Sequence, residues 1–163
     1  MRTRFLAALV AAAALASCGY STGSLVPPGY RTIAVPVFDN PTRRHDLEWA
    51  LTQAVVEEIQ ARTALRVVDA SDSPDLVLNG SLADADEDVL SHGERQRIRE
   101  SAYFLTAEIE VVDGHSGKPV VKRRRVTERE SFVPAEGESV RTAREEANRA
   151  LAERIVRQME AAW

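Results

Sequence analysis

The stretch that most limits the fold is residues 99–132. Tyr103, Leu105, Ala107, Ile109 and Val111 alternate with Thr106, Glu108 and Glu110, the period of two expected of a strand with one buried face. Asp113-Gly114-His115-Ser116-Gly117-Lys118 then supplies a glycine-bearing turn, and Val120 to Phe132 reads as a strand returning antiparallel. A lone hairpin is marginal in water, so this one calls for more strands and a covering layer.

The rest of the chain supplies both. Arg31 to Phe38 reads as a first strand, with Ile33, Val35 and Val37 on one face and Ala34 on the other. Pro36 cannot give an N–H to a ladder, which suits an edge strand or a strand's irregular end. From His45 to Arg62 the period turns helical, with Leu47, Leu51, Ala54, Val55 and Ile59 at spacings of three and four. Leu65 to Asp69 is a short strand, so the first three elements form a strand-helix-strand unit with parallel strands. Asp75 to Ala83 alternates Leu76, Leu78 and Leu82 against Val77, Asn79 and Ser81, with Gly80 marking a bulge or close approach. Residues 84–98, opening on Asp84-Ala85-Asp86-Glu87-Asp88, read as a long hydrated connection. A final helix is expected from Ser139 to Ala161, with Val140, Ala143, Ala147, Leu151, Ile155 and Met159 in one stripe. The expected class is α+β: a two-layer sandwich of two amphipathic helices on a mixed, mostly antiparallel four- to five-stranded sheet.

Residues 1–17 stand apart: Arg2 and Arg4, an apolar run from Phe5 to Ala16 too short for a bilayer core, then Ser17. Leu15-Ala16-Ser17-Cys18 resembles the lipobox of bacterial lipoproteins. The resemblance implies cleavage before Cys18, diacylglycerol on its thiol and an acyl chain on the new amino group, with no other cofactor. Cys18 is the sole cysteine, and several acyl chains make such an anchor effectively permanent. Gly19 stands where an aspartate would resemble an inner-membrane retention signal, which implies an outer-membrane, periplasm-facing location. Residues 18–30 are then a lipidated tether, reaching at most roughly 40 Å, and 31–163 one domain. Removing residues 1–17 leaves 146 residues, and because the segment carries two of the 21 Lys and Arg and none of the 25 Asp and Glu, the net charge becomes −6. That balance argues against general nucleic-acid binding.

Chemistry has little to work with. His45, His92 and His115 show no metal-ligand spacing, no glycine-rich phosphate loop follows a strand, and no nucleophile, base and oxyanion stabiliser can be assembled. The chain is expected to be a binder, not an enzyme. Two basic groups are candidates: Arg95, Arg97 and Arg99 on one face of an extended segment, and Lys122, Arg123, Arg124 and Arg125 divided between two faces of the fifth strand. Edge protection and pairing with Glu108 and Glu110 account for the second group. An anion site for phosphorylated lipid head groups is the sharper account, since guanidinium groups hold phosphate bidentately. Cations facing the helix layer require that strand end to project, so the turn at 113–118 is expected to protrude.

Cys18-Gly19-Tyr20, the run from Thr32 to Thr42 leading into Leu47-Glu48-Trp49-Ala50-Leu51-Thr52, the Asp75-Leu76-Val77-Leu78-Asn79-Gly80 strand, the hairpin from Val111 to Lys118 and the alanine-rich last helix together resemble the LptE-type lipopolysaccharide-assembly lipoproteins, or rare lipoprotein B family. The resemblance implies a non-enzymatic outer-membrane lipoprotein that plugs the LptD-type translocon barrel and touches lipopolysaccharide. The basic groups then become candidate contacts for phosphorylated sugars. The opening Ile33-Ala34-Val35-Pro36-Val37-Phe38-Asp39-Asn40 also resembles lipoproteins that activate peptidoglycan synthases or build curli-type secretion pores, which is the alternative.

Overall fold

A computed structural model describes residues 26–42, 44, 46–92, 98–133 and 139–163, with the backbone alone for 89–92 and 98–100. The strands are β1 (Thr32–Ala34), β2 (Arg66–Val67), β3 (Leu76–His92), β4 (Ile98–Asp113) and β5 (Pro119–Phe132), and the α-helices are α1 (Leu47–Arg62) and α2 (Val140–Glu160). The sheet order is β2-β1-β3-β4-β5. β1 runs parallel to β2 and β3, while β3–β4 and β4–β5 are antiparallel hairpins. This is the α+β arrangement of two helices on a mixed five-stranded sheet.

Both helices cover one face. Tyr103, Leu105, Ala107, Ile109 and Val111 of β4 are at most 1% exposed and meet Leu51, Val55 and Ile59 of α1 and Ala147, Leu151 and Ile155 of α2 in a single core. Ser139 caps α2 by accepting from Thr142 N–H, as serine does at this position. In α1 the buried set includes Thr52 as well as the expected leucines, because its hydroxyl donates to the Glu48 carbonyl and accepts the Phe38 N–H at 3.0 Å.

The two helices run parallel to each other. α1 crosses back between the parallel strands β1 and β2, and α2 runs back along β5, where Arg154 meets Glu128 and Arg124 meets Gln158. Arg62 of α1 and Glu160 of α2 pair at 2.9 Å, which sets the two C-termini side by side.

Several expectations change or sharpen. The hydrated connection over 84–98 is in its first part strand: β3 continues to His92, with Asp84, Asp86, Glu87 and Asp88 paired to Thr106, Phe104, Tyr103 and Ala102. A bulge between Leu82 and Asp84 keeps Ala85 inward and leaves these acids exposed, where hydration tolerates them. The first strand is shorter than 31–38, since pairing stops at Ala34 before Pro36, and Val37 is 42% exposed instead of inward. β1 is interior, so Pro36 marks an irregular strand end. The turn at 113–118 is exposed from Gly114 to Lys118 but tied at its base: Gly114 N–H donates to the Asp75 carbonyl at 2.8 Å, and an added Cβ at Gly114 would lie 1.9 Å from the Pro74 oxygen. The hairpin that extends past the other strands is β3–β4, because β5 stops opposite Ser101.

Gly80 is a close approach. A Cβ there would come within 2.3 Å of the Phe38 ring, which lies against the strand at 2% exposure. Phe38 is held by its own bond to Thr52 and by Asp39, which exchanges hydrogen bonds with Gly80 and Leu82.

Candidate functional site

Cys18, Arg95 and Arg97 lie outside the described residues. Arg99 sits on β4, one residue after its start at Ile98. Lys122 to Arg125 lie near the opposite end, since Arg125 pairs with Glu108. Nine residues of strand separate Arg99 from that position, roughly 30 Å at the usual rise, so the two basic groups do not form one site.

The four cations on β5 are divided by an irregularity between its pairings at Val121 and Arg124. Arg124 turns to the helix side and donates to Gln158 at 2.9 Å, close to where α2 ends. Arg125 faces the uncovered side and pairs with Glu108 at 2.9 Å. Arg123 lines a groove of about 270 Å³ on that side with Asp39, Asn79, Ser81, Glu108 and Glu110. Lys122 is exposed. Three carboxylates beside one guanidinium make this groove a poor host for phosphate. Edge protection and cross-strand pairing account for these cations on the described geometry.

The uncovered sheet face is mixed: Phe104 and the paired Val77 and Val112 lie on it among polar side chains. Thr106 and Thr127 share a hydrogen bond at 3.0 Å, and Arg129 lies 5.9 Å from the centre of the Phe104 ring. Asp84, Asp86 and Asp88 edge it on β3, and Arg123, Arg125 and Arg129 edge it on β5.

At the end where the chain enters the domain, two aspartates act as clasps. Asp75 Oδ2 accepts from Arg31 N–H at 2.8 Å, Thr32 N–H at 2.9 Å and the Thr32 hydroxyl at 2.9 Å. Those bonds, the Arg31 N–H foremost, hold its carboxyl below the usual range. Asp113 accepts from Ser116 N–H and hydroxyl, His115 N–H and the Tyr30 hydroxyl, and is lowered mainly by Ser116.

At the far end Tyr103 is fully buried between two arginines that the sequence reading passed over. The Arg44 and Arg144 guanidinium carbons lie 5.9 Å and 5.8 Å from its ring centre. Burial pushes its phenol pKa up, against the opposing pull of Arg144 and Arg44. No local motif joins positions 44, 103 and 144; only the alternation that buries Tyr103 was visible in advance. Among the described residues, no group of three or more His, Cys, Asp or Glu could hold a metal ion, and no helix is long and apolar enough to cross a membrane.

A family model described as lipopolysaccharide-assembly, LptE, matches residues 30–162. No curated protein matches the chain. Among solved structures, the chain is similar to an uncharacterized lipoprotein B from Nitrosomonas europaea, with 16% identity, a TM-score of 0.56, and 85% of this chain and 88% of that one covered. It is similar to the rare lipoprotein B from Shewanella oneidensis at 15% identity and a TM-score of 0.56, covering 80% and 95%. A PelC dodecamer from Paraburkholderia phytofirmans shares the fold at 16% identity and a TM-score of 0.54, covering 85% and 92%. At these identities the solved structures speak for the fold alone.

Proposed function

The chain belongs to the LptE lipopolysaccharide-assembly family, and on that premise we propose that it is a non-enzymatic lipoprotein, anchored in the outer membrane through lipid on Cys18, that assembles with and plugs the LptD-type translocon barrel and aids lipopolysaccharide insertion in the outer leaflet. The observation that carries this reading is the one-sided sheet. Both helices cover one face, and the other carries threonines, carboxylates and arginines around Phe104, Val77 and Val112. The interior of a large outer-membrane barrel is polar, so a body filling it needs a polar surface of this kind. Among the described residues, the exposed large hydrophobic side chains are Val37 and Trp49. A tether of about a dozen residues, from Cys18 to the first strand, keeps the domain within a few tens of ångströms of the lipid.

Copurification in detergent tests the reading. The expected result is a one-to-one complex with a large outer-membrane barrel that holds lipopolysaccharide. Recovery of a peptidoglycan synthase, or of a homo-oligomeric ring with no barrel, would overturn it.

A further inference from the structure

The outer side of the helix layer carries a groove of about 370 Å³ along the seam between α1 and α2. Ala50, Ala54 and Ala61 line it from α1, and side chains that small leave the seam open. Asn148 lines it from α2. Asparagine is a poor choice for the middle of a helix, yet this one is only 5% exposed, and its Oδ1 is shut off from solvent with no partner. Buried polar groups are almost always paired, so the amide asks what is missing. A second orphan sits at the foot of the seam, where Arg62 and Glu160 join the two C-termini. Trp163, three residues past α2, has an indole Nε1 that is likewise shut off and unpartnered. One group wants a donor and the other an acceptor.

The charges around the groove do not call for an ion. Glu57 accepts from Gln53, Glu58 pairs with Arg62, Glu145 pairs with Arg141, and Arg149 is exposed to water. An uncharged, slender occupant that offers both N–H and C=O suits the site, and it satisfies the Asn148 amide whichever way that amide is turned. The chain holds such a segment at the right end. Gly19-Tyr20-Ser21-Thr22-Gly23-Ser24-Leu25 carries no charge and is mostly small. It leads into Val26, which packs on the core as Trp163 does, and the chain then enters β1 beside the exit of α1, where Arg66 N–H donates to the Arg31 carbonyl. Seven residues reach about 23 Å at about 3.3 Å each. Asn148 stands twelve residues before Glu160, about 18 Å along the helix. The segment is long enough to run from the foot of the seam to Asn148, with little to spare.

We infer that the helix seam is the docking groove for this chain's own residues 19–25. The docked segment lies over Ala61 and Ala54, its backbone bonds the Asn148 amide, and a carbonyl near Val26 accepts from Trp163 Nε1. Cys18 then rests beside the helix layer instead of at the end of a free tether, and its anchor holds the helices, not the bare sheet face, nearest the lipid. That Cys18 carries lipid rests on the proposed function, whereas the docking itself does not.

The test uses the full lipoprotein in detergent, purified free of any barrel. Amide exchange read by mass spectrometry should be at least tenfold slower over residues 19–25 than in a free peptide of the same sequence. Asn148→Ala and Ala61→Arg should each remove that protection. Asn148→Ala takes away an unpaired acceptor and raises helix propensity, and Ala61 is exposed, so both variants should fold. Unchanged exchange over β4 guards against misreading an unfolded variant. Contact is read by oxidation: Thr22→Cys with Glu57→Cys should cross-link at least tenfold faster than Thr22→Cys with Thr127→Cys on the bare sheet face. Lipid on Cys18 leaves no competing thiol. Unprotected residues 19–25, protection that survives either substitution, or equal cross-linking at positions 57 and 127 would overturn the inference. Protection that fades on dilution, or cross-links between chains, would put a second copy's segment in the groove and overturn it likewise. Because no arm contains the barrel, failure here leaves the plug reading standing, and failure of the barrel to copurify leaves this one.

Discussion

Gly80 and Phe38 form a pair whose coupling can be worked from geometry. A methyl group at residue 80 would overlap the Phe38 ring at 2.3 Å, and the ring has little freedom to retreat. Its N–H is bonded to Thr52, Asp39 is paired on both sides to β3, and the side chain is buried. Gly80→Ala in the parent is therefore an overpacking substitution, expected to cost about 1–3 kcal/mol. Phe38→Ala leaves a cavity and should cost about 3–5 kcal/mol. With the ring gone, Gly80→Ala meets open space and removes the entropic penalty of glycine in a strand, so it should stabilise by roughly 0.5–1 kcal/mol. The sign of the Gly80→Ala effect thus reverses between backgrounds, and the coupling energy comes to about 1.5–4 kcal/mol. Guanidinium unfolding of the four proteins, followed by circular dichroism, gives the cycle. Equal effects of Gly80→Ala in both backgrounds would refute the close-approach account.

Acid should unfasten the entry end first. Asp75 and Asp113 are lowered from 3.8 in the folded state, so their contribution is fully present above the unfolded value and is lost as pH falls through the folded values. Asp75→Asn with Asp113→Asn should flatten the loss of stability below about pH 4 in denaturation curves measured across pH. Gly114→Ala should destabilise by about 2–3 kcal/mol, because the obstacle is the Pro74 backbone carbonyl and not a movable side chain, and amide exchange at Gly114 should speed up markedly. Cys18→Ser should abolish incorporation of a labelled fatty acid and release the protein from membranes, as read by mass spectrometry and fractionation.

Much of the fold was legible because local chemistry repeats with a clear period. The β4 alternation, the glycines of the β4–β5 turn and the apolar stripe of α2 each fix a face, and the structure keeps those faces. The acidic run at 84–88 was not legible as strand, because its charges give no apolar alternation of their own. β4 supplies its partner ladder, and Ala85 is the only residue of the run that is buried. The candidate cations were only partly legible. Four successive basic residues suggest a patch, but a shifted register sends Arg124 to the helix side and Arg125 to Glu108.

The sequence by itself determined the two-layer class, the strand-helix-strand start, the hairpin and the polar side of its sheet. These follow from residue period and turn chemistry, which act over a few neighbours. Only the tertiary structure decided that two helices run parallel and bring Arg44 and Arg144, a hundred residues apart, to the ring of Tyr103. Convergence of that kind depends on strand order and crossover direction, and no local spacing encodes either.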